Sequence, residues 1–376
     1  MHKVLMKGNE ALGEAAIKAG CRHFFGYPIT PQNEVPEYFA RRMPEVGGVF
    51  LQAESEIAAI NMVYGASSAG ARVMTSSSSP GISLKQEGIS YLAAAELPCV
   101  IVNIMRGGPG LGGIQAAQSD YFQATKGGGN GDYRLIVYAP ASIQELVDMT
   151  MKAFDTADKY RNPVMILGDG VLGQMMEPVE FREFPFPNLS MKPWACTGRK
   201  KYRPQNIINS LYLDAEVLEN HNFALFNKYN TISRNEKAAE AYMTTDAEII
   251  LAAYGTTARI VKAAMNLARD KGIKAGMVRP LTLWPFPDDY VRESLSKNTK
   301  AVLTVEMSMG QMVEDVQLAV NGRVPIHFYG RVGGMIPDVK AVYHEICRIA
   351  GKTNELPEQK TRGIRYSIEG GIRTNG

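Results

Sequence analysis

Cysteine and histidine are both scarce in this sequence of 376 residues. The four cysteines, Cys21, Cys99, Cys196 and Cys347, form no CxxC pair, and the five histidines show no spacing typical of metal ligands. This excludes an iron–sulfur cluster or a zinc site held by the cysteines of this chain alone. We therefore expect no metal site in this chain, and we expect the cysteines to be small buried residues.

The sequence also lacks an excess of charge and a long hydrophobic run. Its 41 basic and 38 acidic residues leave a net charge of +3, which gives no electrostatic reason to expect binding to nucleic acid or to a membrane surface. The longest apolar runs, such as Leu97–Ile101, are far shorter than a spanning helix. The first residues, MHKVLMKGNEALGE, carry acids and glycines where a signal peptide is apolar. We expect a cytoplasmic protein.

Several catalytic motifs are missing as well. There is no Walker A sequence and no GxSxG. The glycine-rich stretch Arg106–Gly113, RGGPGLGG, follows an apolar strand, but its glycines do not give GxGxxG. A nucleotide-binding dehydrogenase that uses this loop therefore remains the less favoured alternative.

What the sequence does contain is a regular alternation of apolar strands and amphipathic helices. This pattern predicts an α/β fold in which helices cover both faces of a mostly parallel sheet. The pattern stops in a proline-rich and basic stretch and then resumes in a smaller α/β domain. We expect a first domain at 1–180, a linker segment at 181–240, a second domain at 241–350, and a polar, basic tail at 351–376 that is hard to place in a core.

Four polar features follow predicted strands of the first domain: Thr30, Glu56, the Ser76–Gly81 turn and Arg106. Because parallel sheets bind ligands at the carboxyl ends of their strands, these residues are candidates for one shared site. Pro31 suits the first turn of a helix, so Thr30 is expected to be its N-cap.

Glu54 and Glu56 lie two residues apart on one predicted helix, so they point in different directions. Both could simply decorate a first turn capped by Ser55. Alternatively, Glu56 points inward among small and apolar residues, where a carboxylate is costly unless it is paired or protonated.

The other two features could each bind an anion. The Ser76–Gly81 turn could do so through backbone N–H groups at the start of the next helix. Arg106 stands beside glycines and could grip a carboxylate or phosphate, or it could form an ordinary surface ion pair.

Five motifs together resemble the α subunit of a 2-oxoacid:ferredoxin oxidoreductase, over nearly the whole chain. They are GYPITP at 26–31, QAESEIAA at 52–59, TSSSSPG at 75–81, RGGP at 106–109 and RPLTLWP at 279–285. The opening MKGNE at 6–10 and the loop GPGLG at 108–112 look most like the branched-chain, 2-oxoisovalerate (3-methyl-2-oxobutanoate) type. The 2-oxoglutarate type is the alternative.

The resemblance implies a pyrimidine-binding thiamine diphosphate domain followed by a domain like the C-terminal domain of transketolase. A separate β subunit would hold the cofactor's diphosphate and Mg²⁺. In agreement, Gly168–Gly170 resembles only the beginning of a thiamine diphosphate metal motif, and we interpret it as a turn. A γ subunit and a ferredoxin-like subunit with iron–sulfur clusters would complete a hetero-oligomer that is inactive without its partners.

The resemblance also implies roles for individual residues. Glu56 would be catalytic and would hydrogen-bond the aminopyrimidine ring of the cofactor. Thr30 and Arg106 would bind the carboxylate of the substrate. Tyr27, Pro28 and Ile29 would pack against the cofactor. The reaction would oxidatively decarboxylate a branched-chain 2-oxoacid, with coenzyme A as co-substrate and ferredoxin as electron acceptor.

Overall fold

The computed structural model describes residues 3–182, 192–199, 201–352, 362–369 and 372–375. The chain divides into two compact units. Unit 1 contains Met1–Ile104 and Gln123–Glu236, and unit 2 contains Met105–Phe122 and Lys237–Gly376. Neither unit is a single continuous segment of the sequence.

The first 236 residues contain eight described strands and eight described α-helices. The strands are β1 (Val4–Lys7), β2 (His23–Gly26), β3 (Val49–Gln52), β4 (Val73–Ser77), β5 (Val100–Met105), β6 (Ile136–Tyr138), β7 (Val164–Asp169) and β8 (Met176–Val179). The helices are α1 (Gly8–Lys18), α2 (Glu34–Arg42), α3 (Glu56–Ser68), α4 (Pro80–Ala94), α5 (Tyr121–Thr125), α6 (Ile143–Tyr160), α7 (Gly170–Gln174) and α8 (Ala215–Asn235).

The central sheet of unit 1 has the strand order β6-β7-β5-β4-β2-β3. The pairs β2–β3, β2–β4, β4–β5 and β6–β7 are all parallel. Strands β4, β5 and β7 are buried along their whole length, which explains why they read as continuous apolar runs. The predicted parallel α/β fold is therefore confirmed, and the carboxyl ends of β2, β3 and β4 meet at one edge.

The remainder of the chain contains the other described helices and strands. Its elements are β9 (Ala239–Tyr242), β10 (Ile249–Ala252), α9 (Gly255–Asp270), β11 (Ala275–Pro280), β12 (Thr282–Trp284), α10 (Asp288–Ser294), β13 (Ala301–Glu306), α11 (Met312–Val320), β14 (Ile326–Gly330), α12 (Val339–Ile349), β15 (Ile364–Glu369) and β16 (Ile372–Asn375). Unit 2 orders seven strands as β16-β15-β14-β13-β10-β11-β9. The inner pairs are parallel and the outer pairs are antiparallel.

The linker segment at 181–240 contains the 21-residue helix α8, and its residues 183–191 and 200 lie outside the described residues. Three other details differ from the expectation. Cys196 is exposed, whereas Cys21, Cys99 and Cys347 are buried. Thr30 is not an N-cap, because α2 begins only at Glu34 after a turn in which the backbone amide of Gln32 donates to the Ile29 carbonyl at 3.0 Å. The tail is the third difference.

The expectation that the tail is hard to place in a core is wrong for its described residues. Strand β15 pairs with β14 in antiparallel register, from Gly330↔Ile364 to Ile326↔Ile368. Tyr366 and Ile368 are only 4% and 6% exposed. They are two residues apart and share one face of the strand. The sequence did not indicate this strand, because the residues around them are polar and basic.

Truncating Tyr366 tests this strand. Its ring stacks on Phe328 with centroids 4.6 Å apart, so Tyr366→Ala should lower the free energy of unfolding by about 2–4 kcal/mol. Chemical denaturation followed by circular dichroism measures this loss. Tyr202→Ala is the control, because Tyr202 is 75% exposed and its loss should be nearly neutral. Equal stability of the two variants would contradict the assignment of Tyr366 to the core.

Candidate active site

Glu56 opens helix α3, directly beyond the carboxyl end of β3. The hydroxyl of Ser55 caps the helix by accepting from the Ala58 amide at 3.2 Å. Glu54 is exposed, whereas Glu56 is only 6% exposed. Of the two interpretations of this acidic pair, the structure therefore confirms the inward-pointing Glu56.

Room for the Glu56 carboxylate comes from a glycine on the neighbouring helix. A Cβ added at Gly81, near the start of α4, would lie 2.6 Å from Glu56 Oε1 and would also clash with Ser77 Oγ. Seven residues further along α4, a Cβ at Gly88 would clash with Ile60 of α3. The two helices thus approach closely because α4 presents glycines to α3, and Glu56 lies at the end of this contact.

The surroundings of Glu56 contain unused hydrogen-bonding capacity. No hydrogen bond between described residues involves the Glu56 carboxylate, and the buried hydroxyls of Ser77 and Ser78 have no partner. A carboxylate that accepts no hydrogen bond from the chain can accept one from a ligand. The site therefore suits a ligand that presents an N–H group or a protonated ring nitrogen, and the aminopyrimidine ring of thiamine diphosphate meets this requirement.

Lys85, which the sequence analysis missed, lies on the same side of α4 as Gly81, one turn further on. Its side chain is fully buried, and Nζ donates to Thr75 Oγ1 and to the Ser76 carbonyl. Burial lowers the pKa of Lys85 from 10.5 to about 7, while the negative charge of Glu56 acts in the opposite direction. A single lysine inside a mixed helical sequence gives no signal of burial, so the sequence alone did not point to it.

The loop after β2 carries the other predicted residues of unit 1. Tyr27 and Pro28 are exposed, and Ile29 and Thr30 are half-buried. The Thr30 hydroxyl accepts from Asn33 Nδ2 at 3.3 Å. Chain connectivity and strand order bring this loop to the same sheet edge as Glu56, because β2 lies between β3 and β4.

Gln32 ties this loop to β4 and was also missed. Its side chain is fully buried, its Oε1 accepts from Ser76 Oγ, and its Nε2 donates to the Tyr27 carbonyl at 3.4 Å. Ser76 therefore joins two side chains that flank the site, since its carbonyl accepts from Lys85 and its hydroxyl donates to Gln32.

The Ser76–Gly81 turn differs from an anion-binding loop. The Ser79 amide donates to Asn103 Oδ1 at 3.1 Å and the Gly81 amide to the Ser78 carbonyl at 2.8 Å, while Pro80 has no N–H. These groups are thus occupied or absent, and the expectation of an anion held by the backbone of this turn is wrong at these three positions. Ser76 and Ser77 belong to β4.

Arg106 directly follows β5 but belongs to unit 2, whereas Thr30 and Glu56 belong to unit 1. Its side chain is 7% exposed, and Nη2 donates to the Leu111 carbonyl of its own loop at 3.1 Å. The loop closes on itself through the Gly107 amide, which donates to the Gln115 carbonyl at 2.8 Å. The next helix, α5, begins only at Tyr121, so the loop lacks the helix N-terminus of a dinucleotide-binding fingerprint.

Comparison with protein families now identifies the class of protein. Residues 14–263 match the family described as pyruvate flavodoxin/ferredoxin oxidoreductase, thiamine diphosphate-binding, and residues 247–342 match core domain II of pyruvate:ferredoxin oxidoreductase. The chain belongs to the 2-oxoacid:ferredoxin oxidoreductase family.

Individual relatives narrow the comparison within that family. The chain is 51% identical over 351 residues to the ketoisovalerate oxidoreductase subunit VorB of Methanothermobacter marburgensis. This alignment covers 93% of this chain and 99% of the relative. It is 37% identical to the 2-oxoglutarate synthase subunit KorA of Methanothermobacter thermautotrophicus, over 92% of this chain and 98% of the relative. The branched-chain type is thus favoured over the 2-oxoglutarate type.

Solved structures agree with the fold. A 2-oxoglutarate:ferredoxin oxidoreductase from Magnetococcus marinus, with 2-oxoglutarate, coenzyme A and succinyl-CoA bound, superimposes with a TM-score of 0.79 at 28% identity. The match covers 93% of this chain and 65% of that chain. A split-gene transketolase matches with a TM-score of 0.57 at 15% identity, which shows a shared fold alone.

The described residues offer neither a membrane span nor a cluster of metal ligands. Among the described helices, none has both the length and the hydropathy that a membrane span requires. The described ranges also contain no group of three or more His, Cys, Asp and Glu side chains placed to hold a metal ion. Asp169, in the Gly168–Gly170 stretch, caps α7 by accepting from the Val171 and Leu172 amides.

Proposed function

We propose that Glu56 is the catalytic carboxylate and hydrogen-bonds the aminopyrimidine ring of thiamine diphosphate. The observation that supports this most is a buried carboxylate, in the space left by Gly81, with no donor among the described residues. When bound, the cofactor supplies the carbon that attacks the 2-oxo group of the substrate. Glu56 holds the proton that the ring and the carboxylate share.

We further propose that Thr30 and Arg106 bind the carboxylate of the 2-oxoacid. A hydroxyl and an arginine fork suit a carboxylate, and both residues follow strands of the central sheet. Orienting the substrate in this way can contribute about 7–11 kcal/mol to lowering the barrier. Tyr27, Pro28 and Ile29 are proposed to pack against the cofactor, and the exposure of Tyr27 and Pro28 leaves them accessible to it.

The active enzyme is proposed to be a hetero-oligomer of this α subunit with a β subunit, a γ subunit and a ferredoxin-like subunit. The relatives are themselves named as subunits, which supports this assembly. In this proposal Mg²⁺ and the iron–sulfur clusters belong to the partner subunits. Residues 1–180 form the pyrimidine-binding domain, 181–240 the linker segment and 241–350 the transketolase C-terminal-like domain. The complex is cytoplasmic.

The proposed reaction is the coenzyme A-dependent oxidative decarboxylation of 2-oxoisovalerate to acyl-CoA and CO₂, with reduction of ferredoxin. The 51% identity to a ketoisovalerate oxidoreductase subunit, against 37% to a 2-oxoglutarate synthase subunit, supports this substrate. A 2-oxoglutarate oxidoreductase is the second candidate.

Reduction of ferredoxin or viologen by the co-expressed complex tests the reaction and the substrate together. With thiamine diphosphate, coenzyme A and a panel of 2-oxoacids, we expect the highest kcat/KM for 2-oxoisovalerate. Activity confined to 2-oxoglutarate would retain the chemistry and overturn the substrate. An assembled complex with intact clusters that oxidises no 2-oxoacid would overturn the proposed function.

A further inference from the structure

A buried lysine accompanies the buried glutamate of this site, and the proposed mechanism does not use it. Lys85 has no exposed surface, although lysine is among the residues least often buried completely. Its hydrogen-bond acceptors, Thr75 Oγ1 and the Ser76 carbonyl, carry no formal charge. Burying an ammonium with neutral partners alone is costly, so its presence requires an explanation.

Lys85 lies on the side of α4 that packs against α3, the helix that begins at Glu56. Gly81, Lys85 and Gly88 are spaced by four and three residues, so they share one side of α4. At the two ends of this row, Gly81 lies against the Glu56 carboxylate and Gly88 against Ile60. Lys85 is the residue between them, on the side of α4 that faces α3.

Few other titratable groups act on Lys85. Two groups affect its pKa electrostatically: the carboxylate of Glu56 on α3, and the thiol of Cys99, the residue before β5. Burial raises the pKa of Cys99 well above its ordinary value, so this thiol stays neutral. The β4 residues that hydrogen-bond to Lys85, Thr75 and Ser76, are neutral. Glu56 is therefore the acidic side chain whose charge acts on the buried ammonium.

We infer that Lys85 is a positioning residue that provides the positive counter-charge of Glu56 and, through Ser76 and Gln32, ties this charge to the loop bearing Tyr27 and Thr30. This inference rests on the proposed role of Glu56. The ammonium attracts the Glu56 carboxylate and holds it in place to accept a hydrogen bond from a ring nitrogen. The hydrogen bonds from Lys85 to Ser76, from Ser76 to Gln32 and from Gln32 to Tyr27 also fix the loop after β2 to the end of β4.

Lys85→Met separates this role from ordinary packing, because it removes the charge and keeps most of the volume. The pKa of Lys85 in the folded chain is about 7, below its ordinary value of 10.5. Between these two pKa values, Lys85 binds a proton in the unfolded chain but not in the folded chain. The free energy of unfolding of wild type therefore decreases as the pH falls from about 10 to about 7. The variant should melt at a higher temperature than wild type near neutral pH, and this difference should shrink as the pH rises toward about 10.

The same variant should lose activity although it gains stability. In the co-expressed complex we expect kcat to fall about tenfold or more with little change in KM for the 2-oxoacid. The acidic limb of the kcat profile should move to higher pH, because a carboxylate without a facing cation binds a proton more readily. Lys228→Met is the matched control, since Lys228 is a largely buried lysine of unit 1 that pairs with Glu96 instead. It should leave the pH profile unchanged.

A double-mutant cycle on melting temperature tests the pair without using activity. Lys85→Met should raise the melting temperature more in a Glu56→Gln background than in wild type, because Glu56 no longer stabilises the ammonium. Equal gains in the two backgrounds, or an unchanged pH profile in Lys85→Met, would overturn the inference. Should Lys85→Met fail to assemble, Thr75→Val removes an acceptor of the ammonium and must shift the same pH profile. Inactivity of the wild-type complex would instead overturn the proposed function, while the cycle would still report on Lys85.

Discussion

Glu56→Gln should abolish turnover of every 2-oxoacid by the assembled complex. The amide keeps the size of the side chain but cannot hold the shared proton, and a positioned acid–base group typically contributes about 10²–10⁴-fold. We therefore expect kcat to fall by at least about 10²-fold with unchanged subunit composition. Steady-state reduction of viologen and size-exclusion chromatography of the complex measure the two quantities.

The chain provides a matched control for this prediction in the same turn. Glu54 carries the same functional group two residues earlier but is exposed. Glu54→Gln should change kcat by no more than about twofold, as expected for a surface substitution. Near-normal activity of Glu56→Gln would show that this subunit has a structural role and that the chemistry takes place elsewhere in the complex.

Gly81→Ala should have the second largest effect, because a single methyl group would enter the space of the carboxylate. The added Cβ would lie 2.6 Å from Glu56 Oε1, a separation at which one of the two groups must move. A displacement of about 1 Å at a catalytic group can cost about 10²-fold in rate. Overpacking should also lower the free energy of unfolding by about 1–3 kcal/mol.

Gly65→Ala is the control for the backbone effect of removing a helical glycine. Gly65 lies in the interior of α3 with nothing within 4 Å of an added Cβ. Alanine there should stabilise the chain by about 0.5–1 kcal/mol through helix propensity alone. Thermal melts and kinetics of both variants distinguish propensity from displacement of Glu56. If Gly81→Ala behaves like Gly65→Ala, the close contact described between Gly81 and the Glu56 carboxylate is wrong.

The sheet of unit 1 could be predicted because its pattern is local. Strands that are buried on both faces read as continuous apolar runs, and helices such as α6 carry their own cap, Ser142, in the sequence. The tail strand β15 could not be assigned in this way. Its inward face carries only alternate residues, Tyr366 and Ile368, within a polar and basic stretch.

The candidate site was only partly predictable for a similar reason. Glu56 and Thr30 follow strands in the sequence, so their approach to one sheet edge follows from topology alone. Lys85 and Gln32 act through contacts between elements far apart in the chain, and spacing does not report such contacts. The start of α2 was misjudged because Pro31 fits a first helical turn, whereas here the backbone forms a separate turn before Glu34.

The path of residues 105–122 has a consequence for dissecting this protein into fragments. This short excursion belongs to unit 2, where Gln118 donates to the Tyr254 carbonyl at 2.9 Å and accepts from Thr257 at 2.7 Å and the Met307 amide at 3.1 Å. A fragment ending near residue 240 would therefore contain Gln118 without its hydrogen-bond partners. The complementary fragment would contain these partners without Gln118. Neither unit can therefore be prepared by one cut in the sequence, because residues 105–122 belong to unit 2 and the residues on both sides of them to unit 1.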